Sequence, residues 1–133
     1  MLRLMSERDS INVVSDQQGC PTYAADLAAV IMQIVMQYSV QGKASEVQGS
    51  NIYHYSNDGI TNWYEFAIAI KDLSGKNCSV YPITTAQYPT PAKRPLYSVM
   101  DTSKIRNTFN IVIPFWKDSL VKCLQELSAP SNP

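Results

Sequence analysis

Two loops carry the residues best placed to do chemistry. Ser15-Asp16-Gln17-Gln18-Gly19-Cys20-Pro21-Thr22 runs from a β-branched segment to the start of an apolar-periodic one. A loop that enters a helix N-terminus can hold an anion, because the first amides there lack partners and the helix dipole favours negative charge. The same residues also suit a plain strand–helix connection with a Gly-Cys-Pro turn. The second loop is Pro91-Ala92-Lys93-Arg94-Pro95. An arginine held between stiff residues is suited to bidentate contact with phosphate. It can equally be a solvated arginine in a proline-rich stretch.

Other chemistries lack their residues. The five glycines stand at 19, 42, 49, 59 and 75. No three of them form the glycine-rich turn of a dinucleotide site, and no P-loop is present. None of the eight tyrosines has lysine four residues on, so no Tyr-x-x-x-Lys pair offers a phenol and an ammonium on one helix face. The single histidine, His54, lies between Tyr53 and Tyr55 and reads as a strand residue with a satisfied imidazole. Cys20, Cys78 and Cys123 match no zinc spacing and read as reduced thiols of a cytoplasmic protein. The expectation is therefore no catalytic residue, no cofactor and no metal held by this chain, which leaves the two loops as the candidates for binding.

The elements that must position the two loops are legible in outline. Leu2 to Glu7 reads as a short helix and Ile11 to Val14 as a strand. Thr22 is the expected N-cap of a long helix with Leu27, Val30, Ile31, Ile34, Val35 and Tyr38 on its apolar face, fading near Gln41-Gly42. Lys43 to Ser50 reads as a loop, Asn51 to Ser56 as a strand, and Asn57-Asp58-Gly59 as a turn. Asn62 and Glu65 have capping-box spacing before a helix with Trp63, Phe66, Ala67, Ile70 and Leu73 on one face, ended by Gly75. Ser79 to Ile83 is a strand. Prolines 89, 91 and 95 exclude regular structure from the stretch beyond Thr84, and Leu96 to Met100 reads as extended. Asp101 or Thr102 caps a helix through Phe109, Trp116 to Leu127 forms the last helix, and 128–133 reads as a frayed tail. Together these predict one α+β unit, a small mixed lobe of short strands and about four helices, over residues 1–127.

Composition agrees with one globular domain. The chain has 133 residues, 45% of them apolar and 17% charged. Eleven basic and eleven acidic residues give zero net charge, and no basic run is longer than Lys93-Arg94. Nucleic acid, which needs a basic stripe, is not the expected partner. The longest apolar stretch, Leu27 to Met36, is too short to span a bilayer, and no signal peptide is read. Met1 opens directly into a helix-like segment, as a piece of a longer chain would.

In order along the chain, three motifs resemble one family. Asp16-Gln17-Gln18-Gly19-Cys20-Pro21-Thr22 is similar to the Asp-Gln-x-Gly-x-Pro-Thr segment of dTDP-4-dehydrorhamnose reductases. Asn62-Trp63-Tyr64-Glu65-Phe66-Ala67 resembles that family's Ser-Trp-Tyr-Glu-Phe-Ala helix start. Pro89-Thr90-Pro91-Ala92-Lys93-Arg94-Pro95, with Ser98 and Asp101-Thr102-Ser103-Lys104, looks like its Pro-x-Pro-Ala-x-Arg-Pro…Ser…Leu-Asp-Thr-Ser-Lys run, with Met100 at the usual leucine. The resemblance implies the C-terminal, substrate-side part of an extended short-chain dehydrogenase/reductase. Such an enzyme reduces dTDP-4-dehydro-L-rhamnose to dTDP-L-rhamnose with NADPH or NADH, for bacterial surface polysaccharide. Its N-terminal Rossmann domain, with the glycine-rich turn and the Tyr/Lys pair, would precede Met1. Arg94 then resembles the arginine that related enzymes place on the diphosphate, and Gln17 and Gln18 lie in the loop bordering that cleft. The implied partners are a dTDP-sugar and the Rossmann domain, and a homodimer is one assembly that exposed apolar surface would favour. Two other readings stay open: a regulatory module related to the methionine adenosyltransferase regulatory subunit, and the lobe of another sugar-nucleotide reductase or epimerase.

Overall fold

A computed structural model describes residues 1–40 and 51–129. In chain order its elements are α1 (Leu2–Glu7), β1 (Ser10–Val14), β2 (Gln18–Gly19), α2 (Ala24–Val40), β3 (Thr61–Asn62) and α3 (Trp63–Ser74). There follow β4 (Ser79–Ile83), a 3-10 turn at Thr85–Gln87, α4 (Ser103–Phe109) and α5 (Trp116–Ser128). This is the expected mixed lobe of short strands, with five α-helices described against the four or so the sequence suggests.

β1 and β4 pair in parallel, with Ser10 opposite Ser79 and Val14 opposite Ile83. Backbone bonds from Ser79 to Asp9 (2.8 Å) and from Ser15 to Ile83 (2.9 Å) lengthen the ladder at both ends. Parallel strands need a long crossover, here the chain through α2 and α3. Because both strands run the same way, the loops that follow them, from Ser15 and from Thr84, leave the same edge of the sheet.

Strand alternation turns Ile11, Val13 and Val80 to one face. There they meet Ala67, Ala69 and Ile70 of α3, Met5 of α1, and Trp116 and Leu120 of α5. A second core gathers Val30 of α2, Ile105 and Phe109 of α4, and Ile111 and Ile113, with Tyr38 and Tyr53 packed edge-on to the Phe109 ring. Fully burying one such aliphatic side chain contributes about 1.5–3 kcal/mol.

A polar joint connects the two cores. Asn57 is 1% exposed. Its side-chain oxygen accepts from the Tyr23 amide (2.8 Å). Its side-chain nitrogen donates to Asp26 Oδ2 (2.7 Å) and Ser119 Oγ (2.9 Å). The Ser119 hydroxyl also donates to Asp26. The joint fastens the start of α2 to α5 and to the loop before β3.

Several expectations change. Thr22 does not cap α2. Tyr23 precedes the helix and its amide is held by Asn57, while the Thr22 hydroxyl turns to the Cys20 carbonyl at 3.5 Å. The cap comes from a residue far away in the sequence, which local spacing cannot reveal. Residues 51–56 form no strand. Their alternation instead turns Tyr53 and Tyr55 into the second core, and Lys104 Nζ donates to the Ile52 carbonyl at 3.1 Å. The apolar face of α2 is narrower than its periodicity suggests: Val30 is buried, but Ile31 and Val35 are half-exposed, as are Met32 and Met36. On α3, Ala67 and Ile70 are buried while Trp63 and Leu73 are exposed. Asn62 does cap α3, accepting from the Glu65 amide at 2.8 Å, but the Glu65 carboxylate accepts from the Thr61 hydroxyl (3.0 Å), so the box is not closed. Asp101 accepts from the Ser103 amide at 2.8 Å at the start of α4. Ser128 closes α5. The expected α2 stop at Gln41-Gly42, the loop Lys43 to Ser50 and residues 130–133 lie outside the described residues.

Gly59 turns the chain toward β3 with φ of +91°, in the left-handed region open to glycine. A Cβ there would lie 2.7 Å from Phe115 Cδ2 and 2.9 Å from Trp116 Cδ1. Backbone strain and overpacking together predict that Gly59→Ala costs about 2–4 kcal/mol. The change would be read as a lower urea midpoint, and an unchanged midpoint would contradict it.

Candidate functional site

The shared sheet edge brings the two candidate loops together. Asp16 reaches across and accepts from the Thr85 amide (3.0 Å) and the Thr85 hydroxyl (2.7 Å). Gln17 Nε2 donates to the same Thr85 Oγ1 at 3.0 Å. These bonds tie the start of the Ser15 loop to the start of the loop that carries Arg94. Thr85's amide, and next its hydroxyl, hold the Asp16 carboxyl below its ordinary value of 3.8.

Gln18 is fixed through its backbone. Its amide donates to the Leu96 carbonyl (2.8 Å) and its carbonyl accepts from the Ser98 amide (2.9 Å) and hydroxyl (3.0 Å). On the other side β2 pairs antiparallel with β3, Gln18 opposite Asn62. Gln18 therefore sits between the extended segment Leu96–Ser98 and the start of α3. Gly19 stands close to Ser98, where a Cβ would meet Oγ at 2.9 Å.

Two adjoining cavities, each of about 300 Å³, open along this seam. One is polar in part, with Gln18, Asn62 and Ser98 in its wall. The other is mostly apolar, backed by Leu4, Ile11, Val13 and Tyr88. Gln17, Trp63 and Arg94 wall both. Parallel sheets commonly bind ligands beyond the carboxyl ends of their strands, where the polar cavity lies, and the apolar one extends back along β1. Arg94 is exposed and has no ion pair among the described residues. It is also the one charged side chain in either wall.

The three predicted binding residues, Gln17, Gln18 and Arg94, thus line one cleft. The start of α2 does not serve as an anion seat, because Asn57 takes its first amide and Asp26 already stands in its first turn. Any negative charge in the cleft is left to Arg94. His54 lines neither cavity, Cys20 lines the polar one, and Cys78 is buried in the first core. Trp63, Asn62 and Ser98 are the residues that sequence reasoning missed. Trp63 shares a helical face with Ala67 and Ile70, so periodicity sends it to the core. A helical face gives direction but not where along the axis the core stops, and Trp63 stands beyond that limit.

The cleft does not fit a dinucleotide cradle. Its strand–helix connection has a single glycine, where such a cradle needs a glycine-rich turn. Among the described residues no group of three or more His, Cys, Asp or Glu is placed to hold a metal. No described helix is long and apolar enough to cross a membrane.

Fold and cleft define a binding lobe of the α+β class, built around loops at one end of a parallel strand pair. The model of the RmlD substrate binding domain matches residues 1–129, and the chain belongs to that family. It is 42% identical over 126 residues to the dTDP-4-dehydrorhamnose reductase of Aggregatibacter actinomycetemcomitans, covering 90% of this chain and 42% of that protein. A crystal structure of a dTDP-4-dehydrorhamnose reductase from Clostridium acetobutylicum superposes with a TM-score of 0.83 at 32% identity, covering 96% of this chain and 42% of that one. The enzyme from Bacillus anthracis, solved in complex with NADP, gives 0.80 at 33% identity, covering 94% and 41%. The chain spans about two fifths of the length of these relatives.

The Asp16–Thr85 contact makes a pH prediction. A depressed carboxyl pKa contributes stability above the unfolded value, near 3.8, and loses it as pH falls through the lower folded value. Asp16→Asn should therefore melt below the parent chain at pH 7, and the gap should close as the pH drops below 3.8. Thermal melts followed by circular dichroism read this out, and a gap that is constant with pH would refute it.

Proposed function

We propose that this chain is the sugar-nucleotide-binding part of a dTDP-4-dehydrorhamnose reductase. In this reading it occupies residues 1–127 and holds the dTDP moiety of dTDP-4-dehydro-L-rhamnose. A Rossmann domain elsewhere in the longer enzyme supplies NADPH or NADH and the proton donor for reduction of the 4-keto group. The observation that carries the reading is Arg94. It is a cation without an ion-pair partner among the described residues, in the wall of both cavities. A guanidinium there can take two oxygens of a diphosphate with charge-assisted bonds. Gln17 is positioned beside it by Thr85 and offers an amide to the same ligand. Gln18 contributes from the adjoining polar wall. Three thiols in a chain with zero net charge agree with a reducing compartment, and we assign the enzyme to the cytoplasm. The names of the relatives favour this reading over a regulatory module.

Two measurements test it. Arg94→Ala should weaken binding of dTDP by about 10–100-fold in calorimetry, the loss expected for hydrogen bonds to a charged group. Equal affinity would remove Arg94 from the site. This chain alone, given NADPH and dTDP-4-dehydro-L-rhamnose, should show no steady oxidation of the nicotinamide, and sustained turnover would contradict the division of labour.

A further inference from the structure

Trp63 is 48% exposed although the residues one and two turns further along its helix face, Ala67 and Ile70, are buried. Leaving half an indole in water forgoes much of the stabilisation that burying it would provide. The ring is nonetheless held in place. Asn62 caps the helix immediately before it, and β3 pins that cap against β2. Phe66 meets the indole edge-on at 6.3 Å between centroids, and Phe66 in turn meets the buried Trp116 at 5.7 Å. The indole is therefore braced by a chain of edge-to-face aromatic contacts, and it walls the two cavities that Arg94 and Gln17 also wall.

We infer that Trp63 is the platform on which the base of a pyrimidine nucleoside diphosphate stacks while Arg94 engages the diphosphate. The inference rests on the function proposed above and adds the group that recognises the base. The two halves of such a ligand differ in chemistry. The base is planar and weakly polar and gains from an aromatic face, whereas the diphosphate is an anion and gains from a guanidinium. The cleft supplies one of each, and they share the same two cavity walls. Stacking tolerates any base, so Trp63 contributes affinity and orientation, and hydrogen bonds made elsewhere choose among bases.

A hexose can also lie against an indole, so the probe must lack one. Binding of dTDP and of inorganic pyrophosphate is measured by calorimetry for the parent chain and for Trp63→Ala, Trp63→Phe and Arg94→Ala. Trp63→Ala should bind dTDP about 5–100-fold more weakly, the range for loss of one stacked base. It should bind pyrophosphate as the parent does. Trp63→Phe keeps a ring and should recover most of the dTDP affinity, and Arg94→Ala should bind both ligands about 10–100-fold more weakly. Fluorescence supplies a readout that does not depend on the alanine variant folding. dTDP should quench the parent chain, whereas Trp63→Phe retains only Trp116, which is 6% exposed, and should bind without quenching. Parent-like dTDP affinity in Trp63→Ala, or undiminished quenching in Trp63→Phe, together with a weakened Arg94→Ala, would overturn the platform and leave the diphosphate site standing. A parent chain that takes up neither ligand would overturn both.

Discussion

The parallel pairing of β1 with β4 is the constraint from which the rest of this lobe follows. Parallel neighbours must send their outgoing chains in one direction, so residues almost seventy apart in sequence begin their loops side by side. Thr85 then serves both: it accepts from Gln17, donates to Asp16, and starts the segment that leads to Arg94. An antiparallel arrangement of the same strands would place the two loops at opposite ends of the ladder. The cleft thus follows from strand direction first and from side-chain identity second.

The cleft walls themselves are irregular but not loose. Binding residues are often carried on loops because loops can be shaped without disturbing a core. Here Gln18 is bonded through its backbone on both sides, to the segment Leu96–Ser98 and to β3. Trp63 starts a twelve-residue helix that packs on the sheet. Arg94 alone depends on the stiffness of its neighbouring prolines. Fixed walls lower the ordering cost of binding, so more of the contact energy is available for affinity.

Much of this was legible in the residues, and the failures share a physical cause. The caps at Asn62 and Asp101 and the stop at Gly75 depend on neighbours within a few positions, and the strands at Ile11 and Ser79 are announced by their own β-branched runs although they pair with each other, so local patterns report them all. The cap of α2 depends on Asn57, thirty-four residues from Tyr23. The placement of residues 51–56 depends on the Phe109 cluster rather than on a strand partner. Periodicity chose the inner side of α2 and α3 but overstated its width, because it carries no information about how far the neighbouring elements extend. Arg94, Gln17 and Gln18 stood out because their loops resemble a family's motifs, which report position in the fold where local patterns do not. Trp63 did not stand out, because an aromatic residue at helical spacing looks like core.

The polar joint at Asn57 has a consequence for how such a sequence can drift. Within either core, exchanging one aliphatic residue for another of similar volume usually costs less than about 1.5 kcal/mol, so the cores can change one residue at a time. Asn57, Asp26 and Ser119 are coupled by hydrogen bonds and change less freely. Asn57 and Ser119 are each 1% exposed, and replacing either by an apolar residue takes a bond from a buried polar partner, which costs about 1–3 kcal/mol. The joint therefore resists single substitutions more than the cores do although it lines neither cavity of the cleft, and it is where a redesign that aims to keep the cleft intact should hold the sequence fixed.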